Sequence, residues 1–212
     1  MAEQLQTAVP EGIVVGEDGV ARCWWADSTP AYRAYHDTEW GFPVADDRRL
    51  FEKLCLEGFQ AGLSWLTILR KREAFREVFA NFEVEEVAAF GEDRFAALMA
   101  DPRIVRNRAK IEATINNAAR AIELRRSEGS LAHFLWAYEA ADPPASVTRA
   151  TLPVTTAESI ALAKEFKRRG WRFLGPTTVY AFMEAMGLVN DHLEGCHCRP
   201  QVALARASFE RP

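Results

Sequence analysis

The hydrophobic positions of this 212-residue chain recur every three or four residues, which is the period of an amphipathic helix. Segments that alternate strictly between apolar and polar residues are almost absent, so a β-rich fold is disfavoured. Downstream of residue 80 the pattern predicts helices over six segments: 83–90, 92–99, 108–126, 130–139, 156–169 and 176–187. Their apolar positions should form the core, as at Leu98, Ile111, Ile115 and Ile122. The sequence therefore predicts an all-α protein.

Start signals place a first helix near residue 30. Thr29 can cap a helix that has Pro30 at its first position, where the missing amide hydrogen costs nothing. This helix would carry three ring-bearing side chains on one face: Tyr32, Tyr35 and His36. Regular structure is therefore expected to begin at about residue 29, in a segment that is unusually rich in aromatic residues.

More helices are predicted before residue 80. One starts near Asp46, has acidic residues in its first turn, and is predicted to end at Gly58. Apolar residues between Leu63 and Leu69 indicate the next helix, and the segment REAFREVF continues the helical pattern to Phe79. Together with the first helix, these segments predict a helical succession from Thr29 to Phe79.

Length and composition favour one large domain or two closely packed lobes. Hydrophobic residues make up 49% of the chain, which is an ordinary share for a globular core. Residues 1–20 have mixed polarity and are interpreted as a flexible extension, with a helical domain over 21–200 and a tail over 201–212. No apolar run approaches the roughly 20 residues of a membrane span, and no secretory signal is visible, so we expect a cytoplasmic protein.

Charge and cysteine content narrow the possible partners. The formal net charge of −4 does not favour nucleic acid, but phosphate binding depends on where cations cluster rather than on the total. The chain contains four cysteines: Cys23, Cys55, Cys196 and Cys198. In a reducing cytoplasm, cysteines accompanied by histidines suggest metal binding more than disulfides. Cys55 lies in an apolar helical segment and is interpreted as a small core residue.

Candidate metal ligands lie in two pairs near opposite ends of the chain: Cys23, His36, His192 and Cys196. Two thiolates and two imidazoles form a closed tetrahedral zinc set, which is typical of structural rather than catalytic sites. His192 and Cys196 are four positions apart, so both can face one ion on a helical turn. Cysteine and histidine pairs at loose spacing also occur without metal, and His197 and Cys198 could substitute as ligands.

Several long motifs occur in a fixed order from about residue 23 to about residue 200. They are CWW, AYRAYHDTEWG, LFEKLCLEGFQAGLSWLTILRKRE, RNRAKIEATINNA, FKRRGWRFLGPTTVYAFMEAMGLVNDH and GCHC. Together they resemble the DNA-3-methyladenine glycosylase I family, bacterial enzymes that remove 3-methyladenine from alkylated DNA. The resemblance implies a helix-hairpin-helix glycosylase fold over 21–200. It also implies a structural zinc that ties the two ends of the domain through Cys23, His36, His192 and Cys196.

The resemblance implies a base pocket in the first third of the chain. Its members would be Trp25, Tyr32, Tyr35, Trp40, Glu57 and Trp65, with Gln60 as a further polar contact. A glycosylase must extrude the nucleotide to reach its N-glycosidic bond. We expect Tyr35 and Trp65 to stack on both faces of the base, where cation–π attraction favours a methylated, positively charged adenine. Glu57 would pair with that charge and act as the catalytic residue, which discriminates against uncharged adenine.

The expected reaction is simple hydrolysis. Alkylation already weakens the glycosidic bond, because the base departs as a neutral molecule. Many helix-hairpin-helix glycosylases use an aspartate, which the type resembled here lacks. Asp142 is the nearest candidate, but it precedes two prolines and is interpreted as a turn residue. A lyase step would require an amine nucleophile, and nothing in the sequence activates Lys110, the lysine near the hairpin.

The segment DPRIVRNRAKI forms a local basic patch in an acidic chain. Its cations are predicted to hold the phosphates of double-stranded DNA: Arg103, Arg106, Arg108 and Lys110. The family usually has glycine where Arg103 and Ala109 stand, and glycine permits positive φ and close approach of a phosphate. The sequence therefore leaves the geometry of this hairpin open.

Two other functions stay open on the sequence alone. A zinc-stabilised helical module could bind alkylated bases or DNA without excision, and intact binding without turnover would identify it. A zinc hydrolase acting on another substrate would need an exchangeable water on the metal, and an absorption spectrum with four protein ligands would exclude it. The favoured interpretation is a monomeric glycosylase that releases free 3-methyladenine from DNA and leaves an abasic site.

Overall fold

The computed structural model describes residues 9–140 and 147–212, and Asp142 lies outside them. Within these ranges the chain forms eleven α-helices and one two-stranded sheet. The helices are α1 (Pro30–Thr38), α2 (Asp47–Gln60), α3 (Trp65–Leu69), α4 (Arg72–Val78), α5 (Val84–Ala88), α6 (Glu92–Ala100), α7 (Arg108–Glu128), α8 (Leu131–Trp136), α9 (Ala157–Arg168), α10 (Pro176–Ala185) and α11 (Cys198–Ser208). The predicted predominance of helices is confirmed. No helix among the described residues is long and apolar enough to cross a membrane.

A short hairpin precedes the first helix. Strands β1 (Ile13–Val15) and β2 (Ala21–Cys23) pair antiparallel, with Ile13 opposite Cys23. Ile13 is buried in a small apolar cluster with Leu193 and Cys196. The interpretation of residues up to 20 as a flexible extension is therefore wrong for residues 13–15. Three-residue strands are too short to show an alternating pattern, and contacts with the other end of the chain fix this hairpin.

The carboxyl-terminal segment is also more ordered than its sequence predicted. The backbone N–H of His197 donates to the carbonyl oxygen of Ala21 at 2.9 Å, which joins the two ends of the fold. Helix α11 follows, and Val202 and Arg206 on this helix are buried. The predicted boundary at residue 200 falls inside α11, so residues 201–208 are part of the packed structure rather than a separate tail.

Helix α2 is the central element of the fold. Every residue from Leu50 to Phe59 is buried, and the helix packs against α3, α7, α8 and α10. Its predicted start is confirmed, because the side chain of Asp46 caps the helix by accepting from Arg49 N–H at 2.8 Å. Its predicted end at Gly58 is wrong, because α2 continues to Gln60. Gly62, with φ +80°, takes the left-handed conformation that follows the helix.

Helix α1 begins as predicted, with the Thr29 hydroxyl accepting a hydrogen bond from Tyr32 N–H at 3.2 Å. The predicted core positions Leu98 and Ile111 are fully buried, whereas Ile115 and Ile122 pack against the core but stay partly exposed. Cys55 is buried inside α2, as expected for a small core residue.

Candidate functional site

A cavity of about 300 Å³ lies between α1, α2, α3 and α10. It is lined by all seven predicted pocket residues: Trp25, Tyr32, Tyr35, Trp40, Glu57, Gln60 and Trp65. Five more residues complete the lining, and none of them was predicted: Trp24, Lys53, Leu152, Ala181 and Glu184. The structure thus brings together every residue that the sequence analysis assigned to a base pocket.

The aromatic side chains form a packed wall rather than an open sandwich. The Trp25 ring lies edge-on to Tyr32 and Trp40, with centroid distances of 5.5 and 5.2 Å. The Tyr35 and Trp65 rings have centroids 5.4 Å apart and are tilted by 46°. A base between two parallel rings needs roughly 7 Å, twice the contact distance of carbon atoms. The predicted stacking of a base between Tyr35 and Trp65 would therefore require these rings to separate.

Local hydrogen bonds position Trp65 at the edge of the cavity. Ser64 caps α3 by accepting from Thr67 N–H at 3.2 Å, and Tyr32 Oη accepts from Leu66 N–H at 2.9 Å. The second bond ties α1 to the helix that begins with Trp65. The buried indole N–H of Trp65 has no acceptor among the described residues, so it is available to a ligand.

Glu57 is a buried carboxylate with a lysine partner on its own helix. Its side chain is 5% exposed, and Oε1 lies 2.8 Å from Lys53 Nζ. The Lys53 ammonium also donates to Tyr35 Oη at 2.9 Å and lies 3.3 Å from the centre of the Trp65 ring. Burial lowers the pKa of Lys53 despite the opposing effect of Glu57. The sequence analysis missed Lys53, although its spacing of four from Glu57 indicated a helical ion pair.

Further acidic groups lie at the α10 side of the cavity. Burial and the neighbouring Asp191 carboxylate raise the pKa of Glu184 well above its usual value. Asp191 accepts a hydrogen bond from the Tyr180 hydroxyl. On the α1 side, burial and the Glu57 carboxylate raise the pKa of Tyr35, so its phenol keeps its proton. Glu57 is thus the cavity carboxylate that is directly paired with a cation.

The predicted metal ligands converge on one buried point. The donor atoms of Cys23, His36, His192 and Cys196 all lie within 4.8 Å of one another, and all four residues are buried. Cys196 Sγ lies 3.4 Å from His36 Nε2 and 3.5 Å from His192 Nδ1. Ligands at zinc distances in a tetrahedron are about 3.3–3.8 Å apart. The donor set and its spacing therefore fit a tetrahedral ion, and these residues could hold a metal.

Surrounding groups fix the orientation of both histidines. His36 Nδ1 lies 2.8 Å from Asp37 Oδ1, and His192 Nε2 lies 2.9 Å from the carbonyl oxygen of Trp40. Gly41, with φ +88°, is needed beside this bond, because a Cβ there would come within 3.0 Å of His192 Nε2. Partners of this kind set the tautomer of a metal-binding imidazole and leave its other nitrogen for the ion.

The two alternative ligands form a second group that shares His36. His36, Asp37, His197 and Cys198 also have donor atoms within 4.8 Å of one another. Asp37 lies 3.0 Å from His197 Nε2 and accepts hydrogen bonds from Arg22 Nε at 3.0 Å and from Arg22 Nη2 at 2.8 Å. Because Asp37 is already engaged by Arg22 and two imidazoles, this group forms a hydrogen-bonded layer behind the first.

The basic patch lies on the connection between α6 and α7, and its four cations differ. Arg106 is exposed, and no ion pair joins it to any residue that the structure describes. Arg108 is exposed and lies 3.3 Å from Glu112. Arg103 contacts both Asp101 and Glu77 at 2.7 Å. No residue of the 101–107 connection has a positive φ, so this backbone does not need a glycine at Arg103.

Lys110 does not lie on that surface, so its predicted contact with phosphate is not supported. The residue is 7% exposed, and its Nζ donates to the carbonyl oxygens of Phe59 at 2.8 Å and Ala61 at 2.5 Å. A cation at this place binds the free carbonyl groups at the end of α2. Lys110 therefore joins the start of α7 to the helix that carries Glu57.

The chain resembles known proteins in both sequence and fold. The sequence pattern described as methyladenine glycosylase matches residues 25–199. DNA-3-methyladenine glycosylase 1 of Escherichia coli (strain K12) is 45% identical over 183 residues, which span 84% of this chain and 97% of that protein. The chain belongs to the methyladenine glycosylase family. The resemblance drawn from the motifs is thus confirmed, and the protein is an enzyme of the class that hydrolyses N-glycosyl bonds.

Solved structures of methyladenine glycosylases share the fold. A crystal structure of 3-methyladenine DNA glycosylase I superposes with a TM-score of 0.81 at 45% identity, over 84% of this chain and all of that one. The Staphylococcus aureus enzyme, solved to explain its recognition of 3-methyladenine, gives a TM-score of 0.78 at 40% identity, over 82% of this chain and 93% of that one. The fold of this methyladenine glycosylase is therefore that of the known members.

Proposed function

We propose that the chain excises 3-methyladenine from alkylated double-stranded DNA by hydrolysing the N-glycosidic bond, which leaves an abasic site. The main support is a buried carboxylate, Glu57, inside an aromatic cavity of about 300 Å³. A buried carboxylate requires a partner, and attraction to a cation is strong where water is excluded. The names of its relatives identify the base on which those proteins act.

Recognition of the base rests on charge and on ring contacts. Adenine methylated at N3 carries a positive charge while it remains bound to the sugar. Trp and Tyr rings attract that charge through their faces, and Glu57 attracts it as an ion. The indole N–H of Trp65, which has no acceptor within residues 9–140 and 147–212, supplies a donor for a ring nitrogen. Unmodified adenine lacks the charge, so it gains only stacking.

The chemical step needs modest assistance. When the bond between C1′ and the base nitrogen breaks, both bonding electrons stay with the base, which leaves as neutral 3-methyladenine. Water then bonds to C1′ and its proton passes to solvent. Glu57 holds the cationic base in the cavity and orients it as leaving group. We assign catalysis to this binding and not to an activated nucleophile.

We propose that no lyase step follows. Such a step requires an amine that attacks C1′. The Lys110 ammonium is held by two carbonyl oxygens of α2. The Lys53 ammonium is 5% exposed and is held by Glu57 and Tyr35.

The duplex would be held at the connection between α6 and α7, which we propose to be a helix-hairpin-helix element. Helix α7 is 21 residues long, and its amino terminus carries the positive end of the helix dipole. Arg106 and Arg108 are exposed beside that terminus. Arg103 contributes less, because two carboxylates already neutralise it. These contacts would position the duplex without reading its sequence.

We also propose that Cys23, His36, His192 and Cys196 hold a structural zinc. The donor spacing and the fixed imidazole orientations support this assignment. Bound zinc would cross-link the hairpin and α1 to the segment before α11, and it would leave no position for water. X-ray absorption should show two sulfur and two nitrogen ligands. A water or oxygen ligand in that spectrum would favour a catalytic metal instead.

The reaction can be tested by incubating the protein with methylated DNA and identifying the released base by chromatography. We expect free 3-methyladenine, and strand breaks only after alkali treatment of the abasic product. A Glu57→Gln variant serves as the inactive control. Intact DNA binding without base release would identify a binding module, and strand breaks without alkali would show a lyase step.

We further propose that the protein acts in the cytoplasm as a monomer. Its four cysteines are buried and none of them forms a disulfide, which is typical of a reducing compartment. Sedimentation of the purified protein alone and with a lesion-containing duplex would test the second part, because a dimer would sediment with twice the mass.

A further inference from the structure

The cavity contains a cation of its own. The Lys53 ammonium lies 2.8 Å from Glu57 Oε1, 2.9 Å from Tyr35 Oη and 3.3 Å from the centre of the Trp65 ring. These three groups are the ones that the proposed function assigns to a cationic base. Lys53 therefore occupies the cation site of the cavity when no base is present.

We infer that Lys53 is a specificity-determining residue that exchanges its own charge for that of the base. In the empty cavity the ammonium pairs with Glu57. When a cationic base enters, one N–H bond of the ammonium breaks, its electron pair stays on Nζ, and the proton passes to the solvent buffer. This inference rests on the proposed function, because it requires the base to bind in this cavity.

The charge balance of the cavity requires such an exchange. Glu57 carries one negative charge, so it can neutralise either the ammonium or the base, and two cations beside it would repel each other strongly in a water-excluded site. Glu184 on the opposite wall does not supply a second anion, because burial and Asp191 raise its pKa well above its usual value.

Among the residues that the structure describes, the carboxylates near the ammonium other than Glu57 are already paired. Near Lys53, Glu39, which directly follows α1, is paired with Arg72 of α4 at 2.6 Å. Glu52 of α2 is paired with Arg76 of α4 at 2.8 Å. Both nearby carboxylates are therefore neutralised, and both arginines would repel an approaching ammonium. Loss of the proton removes the charge of Lys53 without breaking either of these two ion pairs.

The surroundings of Lys53 make it easier for the ammonium to lose a proton. Burial lowers the pKa of Lys53, and the Arg72 charge lowers it further against the effect of Glu57. A neutral amine keeps its contact with Tyr35, because the phenol can then donate to Nζ. The pKa of Tyr35 is raised by burial and by Glu57, so that proton stays available. An uncharged base would leave the Lys53–Glu57 pair intact and gain no ionic contact.

The exchange can be measured by calorimetry with two matched ligands. The 3,9-dimethyladeninium ion keeps the charge and the N9 alkyl group of the nucleotide, and 9-methyladenine is its neutral counterpart. Binding to the full-length protein at pH 8 is measured in buffers of different ionisation enthalpy, which gives the number of protons released. We expect about one proton per bound cation and none for 9-methyladenine.

Two substitutions sharpen the test. Lys53→Met removes the charge, so proton release should disappear and the cation should bind about tenfold more tightly. Lys53→Arg makes the charge permanent, so the cation should bind about tenfold more weakly. Melting curves and the affinity for 9-methyladenine control for damage to the fold or the cavity.

The outcomes separate this inference from the proposed function. Proton release that disappears in Lys53→Met supports the exchange. Release near zero in the unsubstituted protein, or equal release in Lys53→Met, overturns it while base excision from methylated DNA stays intact. If the protein neither binds the ion nor releases base from DNA, the proposed function fails and this inference fails with it.

Discussion

Two neighbouring residues of helix α1 lie in sites of opposite character. His36 points into the cysteine and histidine cluster, and Tyr35 lines the aromatic cavity. In the cluster, both nitrogens of His36 and His192 have partners, and four donor atoms surround a single point. In the cavity, about 300 Å³ is open and the Trp65 indole N–H has no acceptor among the described residues.

This difference separates a site that stabilises the fold from one that waits for a ligand. Four donor atoms fill the coordination sphere of one ion. The free energy of metal binding would therefore stabilise the contact of β2 and α1 with the end of the chain. The cavity contains an indole N–H without an acceptor among the described residues and the buried Lys53–Glu57 ion pair. Both features cost stability unless a ligand binds to these groups. Because both sites are built on α1, substitutions can show whether the cluster positions the cavity.

The largest effect is expected when the cluster is opened. His192→Ala removes one of four ligands, so bound zinc should be lost and the free energy of unfolding should fall by about 5 kcal/mol, the scale of a long-loop cross-link. A metal assay and a denaturant melt measure both quantities. Cys55→Ala is the matched control, because Cys55 is buried in α2 outside the cluster and should retain zinc. Stoichiometric zinc in His192→Ala would contradict the ligand assignment.

The next largest effect is expected from a substitution that changes the cavity and leaves the four metal ligands in place. Glu57→Gln keeps the size of the side chain but removes its charge, so excision of 3-methyladenine should fall about 100-fold while the melting temperature changes little. Single-turnover excision from methylated DNA measures this. Glu52→Gln is the control, because Glu52 is a second buried acid of α2 whose partner is Arg76. An unchanged excision rate in Glu57→Gln would remove Glu57 from the site.

The sequence predicted the parts of the fold that depend on local signals. The cap at Thr29 and the start of α2 at Asp46 follow from side-chain bonds to nearby backbone groups. The cavity residues were found together because most of them lie within about 40 residues of one another. The motif resemblance indicated which residues at the two ends of the chain form the metal site. Spacing alone did not decide between His192 and Cys196 and the alternative ligands His197 and Cys198.

Features that depend on tertiary contacts were missed. Lys110 looked like a surface cation, but the end of α2 supplies two carbonyl acceptors that bury it. Gly58 looked like a helix end, but α2 continues to Gln60. Gly62, after the helix, is the glycine that takes the left-handed conformation. Lys53 was overlooked although its spacing from Glu57 allowed a helical ion pair, because nothing in the local sequence shows that Tyr35 and Trp65 enclose it. In each case the structure depends on contacts that the local sequence pattern does not show.

A smaller effect is expected from the groups behind the cluster. Hydrogen bonds from Arg22, His36 and His197 hold the pKa of Asp37 well below its usual 3.8, despite opposing burial. Because the folded-state pKa is depressed, this carboxylate stabilises the fold above about pH 4, and the contribution is lost as the pH falls further. Asp37→Asn should reduce metal affinity about tenfold, and it should flatten the acid side of the stability profile.

The control for this variant is Asp18→Asn. Asp18 also binds Arg22, at 2.9 Å, but it contacts neither histidine, so its loss should leave metal affinity unchanged. Competition with a chelator measures the affinity, and denaturant melts between pH 3 and pH 7 measure the profile. Equal metal affinity in both variants would show that Asp37 does not orient the imidazoles.

The smallest effect tests whether DNA binding is independent of both sites. Arg106 is exposed beside the start of α7, whereas Arg103 is neutralised by Asp101 and Glu77. Arg106→Ala should weaken duplex binding a few-fold and reduce the slope of log affinity against log salt by about one. Arg103→Ala should change that slope less, because its phosphate contact would have to displace two carboxylates. Affinity for a free cationic base should be unchanged in both variants, since neither residue lines the cavity. A slope that is unaltered in Arg106→Ala would remove this arginine from the DNA interface, and a loss of base affinity would show that the connection between α6 and α7 also positions the cavity through Lys110.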